Sequence, residues 1–367
     1  MLLRQDNGDP SEPTSWSNKK IEGEFLFELD NVIKAVYNWL DKVFANWGIP
    51  HFWLDILSMF IVFGMIVAFI SIAALFLVWW ERKVSAHMQV RFGPMRTGWH
   101  GWRQTIIDAI KLILKEDIIP TKVDKAVFVV APIVVFVSAL MVYVCIPFGR
   151  GLIVRDLNIG ILYILAITTF TVVGLLMAGF GSNNKYSLLG GLRSAAQIVS
   201  YEVPLTLSVL GVVLLVGSLS MVKIVTAQTH FWDWFIFRQP IGFLVYITAA
   251  VAEVNRTPFD IPEAEQELVA GYNVEYSGMK FAMFFFAEYT NLFSISAVST
   301  TLFLGGWNGP FLPSWMWFLG KTLFVILVIM WFRWTYPRIR VDQLMDFAWK
   351  FLLPLAFLNL IVTGLVA

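Results

Sequence analysis

Charge is scarce in this 367-residue chain: 14% of its residues are Asp, Glu, Lys or Arg, 58% are hydrophobic, and the mean hydropathy is +0.70. Soluble domains carry about 25% charged residues, so the composition excludes that class and makes a membrane the solvent. The net charge of +1 leaves no basic field for nucleic acid. Cysteine is scarcer still. Cys145 is the single one, inside an apolar run, and it provides for no intrachain disulfide, zinc site or iron–sulfur cluster. The histidines His51, His87, His100 and His230 are scattered without ligand spacing, so no metal site is expected. Internal repeats and paired broken helices, the marks of an inverted-repeat transporter, are also missing from the pattern.

What the chain has is long apolar runs. Residues 1–20 are polar and carry no signal-peptide core, and apolar residues at helical spacing from Asn31 to Trp47 predict an interfacial amphipathic helix. Residues 1–50 are therefore expected to form a polar tail with that helix, and 51–367 a single all-α membrane domain of about eight transmembrane helices. The expected spans lie at about 56–80, 126–148, 159–180, 198–218, 238–256, 281–303, 314–333 and 346–366. The fifth is the problem span. Only Gln239 to Ala252 is uncharged there, so a full crossing must take in Arg238 at one end and Glu253 with Arg256 at the other.

Lys and Arg concentrate in the odd loops, the first of which holds Arg82, Lys83, Arg91, Arg96, Arg103, Lys111, Lys115, Lys122 and Lys125. The positive-inside rule puts those loops on the cytoplasmic side and both termini opposite. A second amphipathic helix is expected over about 101–117, its polar stripe formed by Gln104, Asp108, Lys111 and Lys115. Arg91, in Gln89-Val90-Arg91-Phe92-Gly93-Pro94, suits either a site or simple snorkelling to headgroups. Arg193, Gln197 and Tyr201 share one helix face, with Glu202 one residue further round. Glu202 fits a polar cavity or a cap on the start of a span.

Acid is concentrated in the fifth loop. Glu253, Asp260, Glu263, Glu265, Glu267 and Glu275 are met in sequence by only Arg256 and Lys280. An acidic surface loop is one reading. Against it, Glu288 lies well inside the sixth span, where an ionisable side chain costs about 2.5 kcal/mol or more. Isolated, it is expected to be neutral; several carboxylates sharing one poorly solvated region suit proton transfer near neutral pH. Glu253 and Arg256 can pair at i,i+3 if the helix continues that far. Arg333, Arg338 and Arg340 either neutralise this acid or satisfy the orientation rule.

Glu81-Arg82-Lys83, Gln89 to Pro94, Leu192-Arg193 with Ser200-Tyr201-Glu202, Glu253 to Asp260, Glu275-Tyr276 and Tyr336-Pro337-Arg338 together resemble one family. It is the H subunit of respiratory complex I, NADH:quinone oxidoreductase, called subunit 1 in mitochondria. The resemblance covers the first to the last span and implies a tilted eight-helix bundle at the joint between the hydrophilic and membrane arms. It implies that the chain lines a quinone tunnel with a peripheral subunit beside the terminal iron–sulfur cluster, and that it adjoins small membrane subunits next to the antiporter-like ones. Quinone is then a bound substrate, while NADH, FMN and the iron–sulfur clusters belong to partners.

Carried over by position, the resemblance assigns Arg82, Asp108, Arg193, Tyr201 and Arg338 to the quinone tunnel. It assigns Glu202, Glu253 and Glu288 to a proton path, with Asp260, Glu263, Glu265 and Glu267 on the loop between them. The implied location is the bacterial cytoplasmic membrane, with periplasmic termini. The rivals are the anchor subunit of a related hydrogenase or ferredoxin-fed complex, a stand-alone proton-coupled transporter, and a purely structural anchor.

Overall fold

A computed structural model describes the backbone of residues 51–262 and 265–366. The expected tail helix over 31–47 and Glu263 lie outside the described residues. The chain divides into two units, Met1–Ser58 and Met59–Ala367. Of the first, the described part is the helical stretch from His51.

The first helix, α1, is His51–Met88; α2 is Arg103–Leu114, α3 Lys125–Met141, α4 Gly160–Gly181 and α5 Lys185–Val216. Short helices α6, Met221–Thr226, and α7, Phe235–Arg238, precede α8, Pro240–Glu253. The fifth loop contains α9, Glu265–Leu268, and leads to α10, Gly278–Phe303. Then come α11, Ser314–Thr335, α12, Val341–Asp346, a π-helical stretch Phe347–Leu352, and α13, Leu353–Val366. Among the described residues, seven stretches are long and apolar enough to cross a membrane, the last running Val341–Val366, and α8 is an eighth, shorter apolar helix. The chain is an all-α multi-pass membrane protein.

The problem span is short because the chain breaks on both sides of it. Gln239, at φ −135 and ψ 61, separates Arg238 from α8, and Asn255 at φ 54 separates Arg256 from its other end. Fourteen residues rise about 21 Å, less than a hydrocarbon core of about 30 Å. A helix this short is tolerated because it is enclosed. It packs against α5, α10 and α13, and Val245, Tyr246, Ala249, Ala250, Val251 and Ala252 are buried.

Two expected boundaries move. The first span continues as helix through Glu81-Arg82-Lys83 to Met88, so its charged end is still helical. The third loop is shorter than expected: α5 begins at Lys185, capped by the Asn184 side chain accepting from Tyr186 N, and runs through Gly190 and Gly191. Glycine lowers helix propensity, but here it is needed for close approach. A Cβ on Gly190 would lie 2.7 Å from Gly271 Cα, and one on Gly191 would lie 3.2 Å from Gly179 Cα. Glu202 therefore sits near the middle of α5, and the reading of it as a cap on the start of a span falls.

On the side away from the basic loops, Lys321 of α11 is buried and donates to the carbonyls of Leu304, Gly306 and Asn308 at 2.7, 3.1 and 2.7 Å. Its ammonium lies 4.1 Å from the Trp234 ring centre. Three carbonyls and an aromatic face replace the water this cation lacks, and they close the end of α10.

Gly190→Ala is expected to push the 271–276 segment off α5 at a cost of about 1–3 kcal/mol. Hydrogen exchange in that segment of the intact assembly should rise, and unchanged exchange would count against this contact.

Candidate functional site

Glu81, on α1, is the centre of a buried charge cluster. Continuation of that helix past Trp80 turns it into the core, where it is 5% exposed. Arg256 donates to both of its oxygens, at 2.9 and 3.0 Å, and Tyr289 Oη donates at 2.9 Å. Arg333 of α11 also pairs with Glu81, while Arg256 reaches Glu288 of α10 at 2.9 Å. The Arg256 guanidinium lies 4.7 Å from the Tyr289 ring centre. Burial alone would lower the pKa of Arg256, but the carboxylates of Glu288 and Glu81 outweigh it and hold the group above its ordinary value.

Two carboxylates and two guanidiniums thus balance in a site with little water. Glu288 is not isolated, because Arg256 answers it. Arg256 leaves its own helix to do so, and the expected i,i+3 pairing with Glu253 gives way to partners on α1 and α10.

One position further along α1, Arg82 forms a 2.6 Å pair with Asp108 of α2. Gln104 Nε2 donates to Asp108 at 3.2 Å. Asp108 of the polar stripe of α2 therefore meets α1, and Ile110 and Ile113 of its apolar stripe are exposed. The helix stops at Leu114, earlier than its spacing predicts, with Lys115 extended.

Part of the fifth loop's acid is answered from distant stretches of the chain. Asp260 pairs with Arg338 at 2.9 Å, Glu267 with Arg193 at 2.5 Å, and Glu275 accepts from Asn184 at 2.7 Å. Lys280 pairs with Asp117 at 2.5 Å. The backbone joins the last loop to the same turn, Ile339 N donating to Pro258 O at 3.1 Å. Gln197 holds the turn from the other side, its Nε2 reaching Ala252 O at 2.8 Å and Phe259 O at 2.6 Å. Glu265 opens α9. Of the last-loop arginines, Arg338 does neutralise the acidic loop, while Arg340 pairs with Asp342 on the surface.

Tyr201 is fully buried and donates to Leu344 O at 3.0 Å, anchoring α5 to α12. Nearer mid-membrane, Glu202 is partly buried and lies 2.5 Å from Thr169 Oγ1. Glu253, at the end of α8, lines two small cavities of about 30 and 10 Å³ with Thr168, Ser294 and Ile295. Sequence reasoning did not select Glu81 or Arg333 as site residues. Their signal is the charge at the end of an apolar run, which in sequence looks like a boundary although the helix continues past it.

The class defined by this geometry is a multi-pass membrane protein with a charge cluster built into its core below a basic surface. Residues 60–364 match the family model described as NADH dehydrogenase, and the chain belongs to that family. It is similar to the NADH-quinone oxidoreductase H subunit of Dehalococcoides mccartyi (strain CBDB1), 54% identical over 85% of this chain and 87% of that one. It is similar also to the H subunit numbered 2 of Geobacter metallireducens, 49% identical over 82% and 93%, and to the H subunit of Carboxydothermus hydrogenoformans, 47% identical over 93% and 97%. The resemblance carried by the charged motifs is borne out.

Removing one partner from a buried ion pair costs about 3–5 kcal/mol, because the other charge is left without compensation. Glu81→Ala is expected to lower the melting temperature of the extracted assembly and the amount of chain in the membrane, with Glu81→Asp milder. Melting at the parental temperature for Glu81→Ala would contradict the role given to this cluster.

Proposed function

We propose that this chain is the membrane subunit of an NADH:quinone oxidoreductase that lines the quinone tunnel and couples quinone reduction to proton translocation. The observation that carries the reading is the adjacency on α1 of Arg82, paired to Asp108 at the basic surface, and Glu81, paired to Arg256 in the core. A change of charge where quinone is reduced has a short route to Arg256, and through it to Glu288. Isolated charges in a low-dielectric region are costly, so a redistribution among them shifts protonation instead.

Arg82, Asp108, Arg193 and Arg338 are the polar groups on the quinone side, each in an ion pair that a bound headgroup or its reduction can perturb. Tyr201 acts there by fixing α5 to α12, since its hydroxyl is committed to Leu344. Glu202, Glu253 and Glu288 form the proton-bearing series, with Asp260, Glu263, Glu265 and Glu267 on the loop that responds between the two groups. The chain itself transfers no electrons in this reading. NADH, FMN and iron–sulfur clusters reside on partner subunits, and its neighbours are the peripheral quinone-site subunits and the small membrane subunits beside the antiporter-like ones. The basic odd loops face the bacterial cytoplasm, and the termini face the periplasm.

Glu253→Gln in the assembled complex is expected to lower quinone-dependent proton pumping by at least about tenfold, since positioned proton-transfer groups contribute about 10²–10⁴-fold. Subunit content should be unchanged. Parental pumping by a fully assembled Glu253→Gln complex would overturn the assignment.

A further inference from the structure

Thr168 and Thr169, consecutive on α4, serve the two carboxylates Glu202 and Glu253 that the proposed proton series uses. Thr169 Oγ1 lies 3.0 Å from Leu165 O and 2.5 Å from Glu202 Oε1. A threonine hydroxyl has one hydrogen and two lone pairs, so it cannot donate fully to both oxygens. Thr168 Oγ1 also donates to Leu165 O, at 3.0 Å, and Thr168 shares both small cavities with Glu253. Thr169 is exposed and Glu202 partly buried on the outer face of α4 and α5, at membrane depth, where water does not serve a carboxyl group. The hydroxyl is the donor or acceptor at hand there.

We infer that Thr169 is a positioning residue for proton transfer, accepting a hydrogen bond from protonated Glu202 and donating one to ionised Glu202. In the first state the carboxyl O–H points to Thr169 Oγ1, and the Thr169 hydrogen points to Leu165 O. All three groups are then satisfied. When the carboxyl O–H bond breaks and the proton passes to another carboxylate of the series, the Thr169 hydrogen swings from Leu165 O to the carboxylate. No bond of the threonine breaks, and Leu165 O keeps its place in the helix ladder. Thr168 Oγ1, donating to the same carbonyl, sits beside the cavities that Glu253 lines and gives that carboxyl group a neighbouring hydroxyl. Both hydroxyls donate to one carbonyl, that of Leu165, so the two threonines face the two carboxyl groups from one turn of α4. The titratable groups around the pair are the carboxylates themselves, which interact with one another, and Tyr246 on α8 beside Glu253.

The inference rests on the proposed proton series, and the experiment separates the two. In the intact complex in proteoliposomes, Thr169→Val keeps the shape and removes the hydroxyl, and Thr169→Ser keeps the hydroxyl. Pumping is expected to fall about tenfold in Thr169→Val, the factor implied by losing one hydrogen bond to a charged group, and to return in Thr169→Ser. The carboxylic C=O band that quinone reduction perturbs in the infrared should move in Thr169→Val and return in Thr169→Ser. If Thr169→Val does not assemble, Thr169→Ala is compared with Thr169→Ser by the same two readouts. Parental pumping and an unmoved band in the hydroxyl-free variant, with pumping lost in Glu202→Gln, would overturn the role of Thr169 alone. Parental pumping in Glu202→Gln would overturn the proton series beneath it.

Discussion

Arg256 lies just beyond the end of α8, 3% exposed, and touches carboxylates from two other helices. A buried cation of this kind is strongly unfavourable alone and acceptable only while both partners are in place. The break after Glu253 is what frees it to reach them, and Gln197 and the left-handed Asn255 maintain the break. Through Glu81 the same cation is tied to Arg333, and so α1, the fifth loop, α10 and α11 meet at one electrically balanced point. The turn after α8 is what brings Arg256 to that point.

A balanced cluster differs functionally from a set of independently raised carboxylates. Protonating one member of a four-charge group leaves an uncompensated guanidinium, so each change demands a second one nearby. Such coupling is useful where an event at the basic surface has to reach the interior. The ion pairs around the fifth loop have the opposite character: Arg193–Glu267 and Arg338–Asp260 are partly exposed and individually weak, which suits contacts that must break and reform. In the proposed function, the buried charge holds the structure and the loop charge responds.

The membrane class and most helix positions were legible in the sequence because apolar runs of 20 or more residues have few alternatives to spanning a bilayer. The difficulty with the fifth span was legible too, since the uncharged stretch from Gln239 to Ala252 nearly coincides with the helix that forms. What the sequence concealed was contact over long separation. Glu81 and Arg333 come together across the whole domain, and nothing in either local pattern marks that pairing. Charges at the end of the first apolar run imitate a membrane boundary, and Gly190-Gly191 imitates a loop, although each is helix supported by tertiary packing. Lys321 is a plainer case. It sits inside an apolar span, where an ionisable residue calls for attention just as Glu288 does, but its partners are backbone carbonyls with no sequence signature.

In the proposed function, quinone chemistry at the surface changes the protonation of carboxyl groups in the core through Arg256. Redox-induced infrared difference spectroscopy of the intact complex, with Arg256 present or replaced by Met, tests it most directly. Coupling through Arg256 predicts a carboxylic C=O difference band on quinone reduction that is lost in Arg256→Met while quinone still binds. The same band at full intensity in Arg256→Met would contradict it.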